Sequence, residues 1–131
     1  MTAPTVNATE VRVRSGPLVS AVLGRVVGML AARAQCPIDR LDDALLLTDA
    51  VAAHAPSHSE ADQVVVNVQT DSDGLELRVA ALRPDGASGL LRDAELPGVG
   101  NVFERVADEV RAVAAPNGGG DELVLRLRFE V

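Results

Sequence analysis

At 131 residues the chain has the length of one domain, with 47% hydrophobic residues to bury roughly two-thirds of its unfolded surface. It lacks Trp and Tyr and has only Phe103 and Phe129 as aromatics, so the core has to be Val, Leu and Ala, and pockets lined by stacking aromatics are excluded. A net charge of −7 and a pI near 4.7 argue against nucleic acid as a partner, because phosphate binding needs clustered basic residues. The basic residues are all Arg, a composition that fits a high-GC bacterial genome.

Residues 1–7 read as a loose tail. From Thr9 to Arg14 apolar and polar residues alternate, with Val11 and Val13 on one side and Arg12 and Arg14 on the other, as in a half-buried strand. Ser15-Gly16-Pro17 reads as a helix start, with Ser15 as capping hydroxyl and Pro17 near the first turn. The helix that follows is expected to reach about Ala34, with Val19, Val22, Leu23, Val26 and Leu30 facing inward, and Gly24 and Gly28 leaving a groove for a neighbouring backbone. Gln35-Cys36-Pro37 connects it to a second amphipathic helix, Ile38 to His54. There Asp39 is placed to cap, Asp42 and Asp43 suit the helix dipole, and Leu41, Leu45 and Ala52 form an apolar row beside Ala44, Leu47 and Val51. Pro56 is expected to end it. Thr48, Asp49 and His54 are the polar residues of its second half, and a carboxylate on a mostly buried helix face calls for an explanation.

Ser57 to Ala61 reads as polar and exposed. Gln63 to Thr70 reads as a strand with Val64, Val66 and Val68 on one face, Asp71-Ser72-Asp73-Gly74 as a hairpin turn, and Leu75 to Leu82 as the antiparallel return. Five Pro and Gly residues between Arg83 and Gly98 point to a long, mobile, lid-like loop. Asn101 is placed to cap a third helix carrying Val102, Phe103, Val106, Val110 and Val113, which Pro116 to Gly120 would break. The last strand sets Leu123, Leu125, Leu127, Phe129 and Val131 against Arg126, Arg128 and Glu130. No repeat or domain boundary is visible. Helices on one face of a largely antiparallel, mixed sheet make an α+β two-layer α/β sandwich.

This order, the segment Cys36-Pro37-Ile38-Asp39 through His54, the Val-rich hairpin and Phe103-Glu104-Arg105-Val106-Ala107-Asp108-Glu109-Val110 together resemble the bacterial anti-sigma-factor serine kinases, a branch of the histidine-kinase-like (GHKL) ATPase superfamily. The likeness runs from about Val11 to Phe129 and implies a Bergerat-type fold, ATP and magnesium as cofactors, and homodimerisation through the first strand and helix. In that family the central helix carries a Glu base and, four residues on, an Asn that holds Mg²⁺. Those positions are Asp49, one methylene shorter, and Ala53, which cannot bind metal. The adenine-recognising Asp falls on Ala81, with Arg83 where the family has Gly; the glycine box is reduced to Gly98-Val99-Gly100; and the late Gly-Thr pair is Gly120-Asp121. The resemblance therefore implies an anti-sigma-factor-like regulator of transcription, pseudokinase-like, with a degenerate ATP pocket, that binds a sigma factor or an anti-sigma antagonist. An active ATP-dependent serine kinase using Asp49 and a non-catalytic homodimeric scaffold are the alternatives.

Bland readings accompany the sharper ones. Asp49 is either a remnant base or a carboxylate bonded to nearby backbone or Arg. Arg25 is either a contact for the sigma factor, by the resemblance, or a solvated charge. His54 and His58 have helical metal spacing, but Pro56 interrupts it and no metal site is expected. Ser88 lacks the strand-turn-helix of a nucleophile elbow. Cys36 reads as a small filler, and as a lone cysteine it excludes an internal disulfide and suits a reducing cytoplasm. Without a membrane-length apolar run or a signal-peptide pattern, the expected location is cytoplasmic.

Overall fold

The computed structural model describes residues 6–114 and 120–130. Strand β1 (Asn7–Arg14) leads into helices α1 (Leu18–Arg33) and α2 (Ile38–His54), a 3₁₀ turn (Ala55–His58), and the hairpin β2 (Gln63–Thr70) and β3 (Gly74–Leu82). Helix α3 (Gly86–Asp93), the short ribbon β4 (Glu95–Leu96) and β5 (Gly100–Asn101), helix α4 (Val102–Val106), and strands β6 (Glu109–Ala114) and β7 (Asp121–Arg128) complete it. The main sheet has five strands in the order β1-β2-β3-β7-β6. Every neighbouring pair is antiparallel, so the sheet is not mixed. With four helices the fold is α+β and compatible with a two-layer α/β sandwich.

Alternation decides which face is covered. Val64, Val66, Val68, Leu75, Leu77, Val79, Leu123, Leu125 and Leu127 are all buried, and they form one core with Val19, Leu23 and Val27 of α1 and Ala44, Leu47 and Val51 of α2. At about 25 cal/mol per Å² of apolar surface, this layer contact is the main source of stability. The hairpin turn forms as expected, because the Asp71 carboxylate accepts from the amides of Asp73 (2.8 Å) and Gly74 (3.0 Å).

Several expectations need correction. Residues 83–98 are not a loop without structure: α3 occupies their centre, with Ala87 and Leu90 buried. Gly86 and Gly89, read as breakers, sit within the helix, where their missing side chains let His58 pack closely: a Cβ at Gly89 would clash with the imidazole ring, and one at Gly86 would crowd the His58 carbonyl. The third helix is short. After Ala107 the chain turns extended, since Asp108 donates its amide to the Arg126 carbonyl (2.8 Å) and accepts from the Arg128 amide (2.7 Å). Val110 and Val113 therefore lie on β6, which gives β7 its second partner.

On α1, Val22 faces outward, and Val27 and Ala31 take its place in the core. Neither Ser15 nor Asp39 makes a side-chain cap bond; the cap positions are Pro17 and Pro37. Pro56 does not stop the helical path outright but lies in the 3₁₀ turn that extends it. Ser59 is buried, donating to the Ala55 carbonyl at 2.9 Å and bridging to Leu82, so the segment after Pro56 is not uniformly exposed. Of the tail expected over 1–7, Asn7 already belongs to β1, while residues 1–5, the break at Pro116 and the last apolar position, Val131, lie outside the described residues.

Candidate functional site

Helix α2 buries Ala44, Leu47, Thr48 and Val51, and Thr48 satisfies its hydroxyl on the Ala44 carbonyl at 2.9 Å. Asp49 is the next residue, about 100° further round the helix, and is exposed, as is Ala53 one turn on. The carboxylate thus does not sit on the buried face, because the apolar stripe that α2 turns to the sheet runs through 44, 47, 48 and 51. Its partner is Ser20 of α1, whose hydroxyl donates to Asp49 Oδ1 at 2.8 Å and links the two helices.

The other family positions fall elsewhere. Ala81, near the end of β3, has a left-handed φ of 53° at the register shift between β3 and β7, and its carbonyl accepts from the Glu60 amide at 2.9 Å. Gly120 enters β7 beside it with φ 97°, and a Cβ there would collide with the Leu82 carbonyl and the Glu60 carboxylate. Ala81 and Gly120 therefore belong to one corner of the sheet, organised by Glu60. Gly98 and Gly100 have φ of 77° and 99° in the β4–β5 ribbon. There a concavity of about 390 Å³ is lined by Leu96, Val99, Gly100, Val102, Arg105 and Val106, with Arg105 donating to the Val99 carbonyl at 2.9 Å. Two further concavities lie at the Asp71–Gly74 turn, with Arg126, Arg128 and Glu130, and on the outer sheet face between β1, β2 and β3. Of the family pocket positions, only Gly100 lines any of the three. Arg25 stands exposed on α1.

Among the described residues no three His, Cys, Asp or Glu side chains converge, and Ala53 offers no side-chain oxygen at the position the resemblance would give to a Mg²⁺ ligand. His54 and His58 do not act together. His58 instead pairs with Asp93 of α3, Nε2 to Oδ2 at 2.6 Å, its ring lying on Gly89 and its carbonyl accepting from the Arg83 amide. Sequence reading could not find this pair, since 35 residues separate its members. Asn101, read only as a cap, does two things: its oxygen accepts from the Phe103 amide (2.9 Å), and its amide donates to the Leu91 carbonyl (2.6 Å), tying α3 to α4. Cys36 donates weakly to the Pro37 carbonyl, and burial pushes its thiol pKa up, against the opposing pull of Arg40.

No protein-family model matches the chain, and no curated protein matches it.

Proposed function

We propose that the chain is a regulatory binding protein of the anti-sigma-factor type, built on a histidine-kinase-like ATPase fold, that sequesters a sigma factor or an anti-sigma antagonist and does not transfer phosphate. The observation that carries the reading is the α2 pair: an exposed Asp49 already bonded to Ser20, followed one turn later by a methyl group at Ala53. Phosphoryl transfer depends on positioned charge neutralisation, and a base displaced by ~1 Å can lose about 100-fold in rate. A shortened carboxylate without a neighbouring metal ligand meets neither demand. The absence of a membrane-length apolar helix among the described residues is compatible with such a role.

One observation favours the rival kinase reading. Asp49 accepts from a hydroxyl at 2.8 Å, the geometry a general base needs toward a serine substrate. Isothermal titration with ATP and Mg²⁺, run alongside phosphate transfer to an antagonist protein, separates the two. The proposal expects no transfer and no micromolar heat of binding; micromolar binding with transfer overturns it. Ala53→Asn is expected to gain nucleotide affinity if the helix descends from an active site.

A further inference from the structure

The concavity of about 390 Å³ between the β4–β5 ribbon and α4 is walled by four aliphatic side chains, Leu96, Val99, Val102 and Val106. Val102 and Val106, four residues apart on α4 and so on one face, are half-buried and rest on the core. The ribbon supplies the opposite wall. The Val99 amide donates to the Leu96 carbonyl at 3.0 Å, a tight turn that brings Leu96 and Val99 together, and each of these two is 56% exposed. Apolar side chains left in water around a hollow mark a binding surface.

Arg105 is the one ionisable group of the lining, and it is held in place. One guanidinium N–H donates to the Val99 carbonyl at 2.9 Å, and the Arg105 Cδ would lie 3.7 Å from a Cβ on Gly100, so the side chain runs along the ribbon. A guanidinium has five donors, and this bond uses one of them. Among the described residues no carboxylate comes within ion-pair distance of Arg105, although Glu95 and Glu104 adjoin lining residues in the chain and are exposed. The net charge is −7, and the strand arginines are matched with acids. An aliphatic hollow with a single unmatched cation therefore selects a ligand of the opposite pattern.

We propose that this concavity binds a free aliphatic carboxylate of medium chain length, with its tail on Leu96, Val99, Val102 and Val106 and its head on the Arg105 guanidinium. The lining argues against other classes. It has no aromatic ring to stack a base, and no hydroxyl, amide or acid side chain to read a sugar or an amine. A carboxylate needs only the cation, which Arg can meet with two parallel bonds. Scale separates a small ligand from a protein. About 390 Å³ lies within the ~300–1,000 Å³ of small-molecule sites, whereas six lining residues fall short of the roughly 20–30 a side of a stable protein interface. Neither Asp49 nor Ala53 lines the concavity, so the assignment stands or falls independently of the sigma-factor reading.

The test is isothermal titration of the full chain with sodium octanoate up to about 3 mM, alongside 1-octanol, which has the tail without the charge. Octanoate is expected to bind with a Kd below about 1 mM, and hexanoate, two methylenes shorter, roughly tenfold more weakly. Arg105→Gln, checked for native circular dichroism, is expected to weaken octanoate by about tenfold or more and to leave octanol unchanged. Arg105→Lys is expected to retain most of the octanoate affinity. Leu96→Asp, at an exposed position, is expected to abolish the binding of both ligands. The absence of octanoate binding overturns the proposal. So does binding that Arg105→Gln and Leu96→Asp leave intact, which would place the ligand on other exposed apolar groups such as Leu18 or Ile38. Equal loss of octanol and octanoate in Arg105→Gln would make Arg105 a support for the ribbon only, and displacement of octanoate by ATP would make the hollow part of a nucleotide pocket; either result also overturns it.

Discussion

On the outer face of the sheet, Arg12, Arg78, Arg111, Arg126 and Arg128 each have a carboxylate within 3.8 Å. On the outer face of the helices, Arg25, Arg33, Asp39 and Asp42 have none among the described residues. Strands explain the first: residues two apart on one strand share a face, which pairs Arg12 with Glu10, Arg78 with Glu76 and Arg111 with Glu109, while Arg78 and Arg128 also reach Glu122 and Glu109 on the neighbouring strand. Packed helices lie about 8–10 Å apart, and stripes that face outward diverge, so the same charges stay separate. The apolar residues follow suit. Val65 and Val124 lie on the outer sheet face yet are buried, with Arg12 and with Arg78 and Arg111 as cross-strand neighbours whose aliphatic stems shelter them. Ile38 and Leu46 have no such shelter. A sheet face can finish itself within one chain; the outward stripe of a helix is left open.

The sharpest way to break that contrast is to compare adjacent residues of β3. Leu77→Ala, on the core face, is expected to cost about 2–5 kcal/mol in denaturant unfolding. Arg78→Ala, outward and paired with Glu122 at 3.1 Å, is expected to cost at most about 1 kcal/mol. Comparable losses would mean that the ion pairs carry stability. Asn101→Ala comes next, at about 1–3 kcal/mol, because it orphans the Leu91 carbonyl and uncaps α4. Two glycine substitutions then differ in sign. Gly120→Ala, held at φ 97° against Leu82, is expected to destabilise by about 1–3 kcal/mol, whereas Gly28→Ala, with open space around it in the middle of α1, is expected to stabilise by about 0.5–1 kcal/mol. Thermal melts decide both, and a destabilising Gly28→Ala would show that another backbone does approach there.

The smallest effect concerns the α1–α2 connection. The Cys36 pKa is raised, so the thiol stays neutral at pH values where an unfolded cysteine ionises. Alkylation of the native protein is expected to lag that of the denatured chain as pH rises past the ordinary thiol range. The linked stability is complete below the unfolded thiol pKa and declines above it, since only the unfolded state then gains by releasing the proton. Equal alkylation rates would remove the case for a filler role.

The hairpin, the central helix and the last strand were legible because each carries a long, unambiguous period. Residues 102–114 were not: Val102, Val106, Val110 and Val113 satisfy helical spacing, and nothing in them reveals that Asp108 will be claimed by the backbone of β7. The α3 segment was missed for a related reason, as its glycines read as breakers until His58 is seen resting on them. At the candidate site, residue identities were plain from the start, including the methyl group at Ala53. That Asp49 faces outward to Ser20 was not, because a period shows which residues share a face but not which neighbour a side chain meets.

By itself, then, the sequence determined the secondary structure wherever periodicity was strong and the Val- and Leu-built core, since these follow from side-chain chemistry and local geometry. Only the tertiary structure decided that β6 joins the sheet, that His58 meets Asp93, and that charges on α1 and α2 remain apart. Those outcomes depend on which distant segments compete for the same backbone and the same space, and no local pattern encodes that competition.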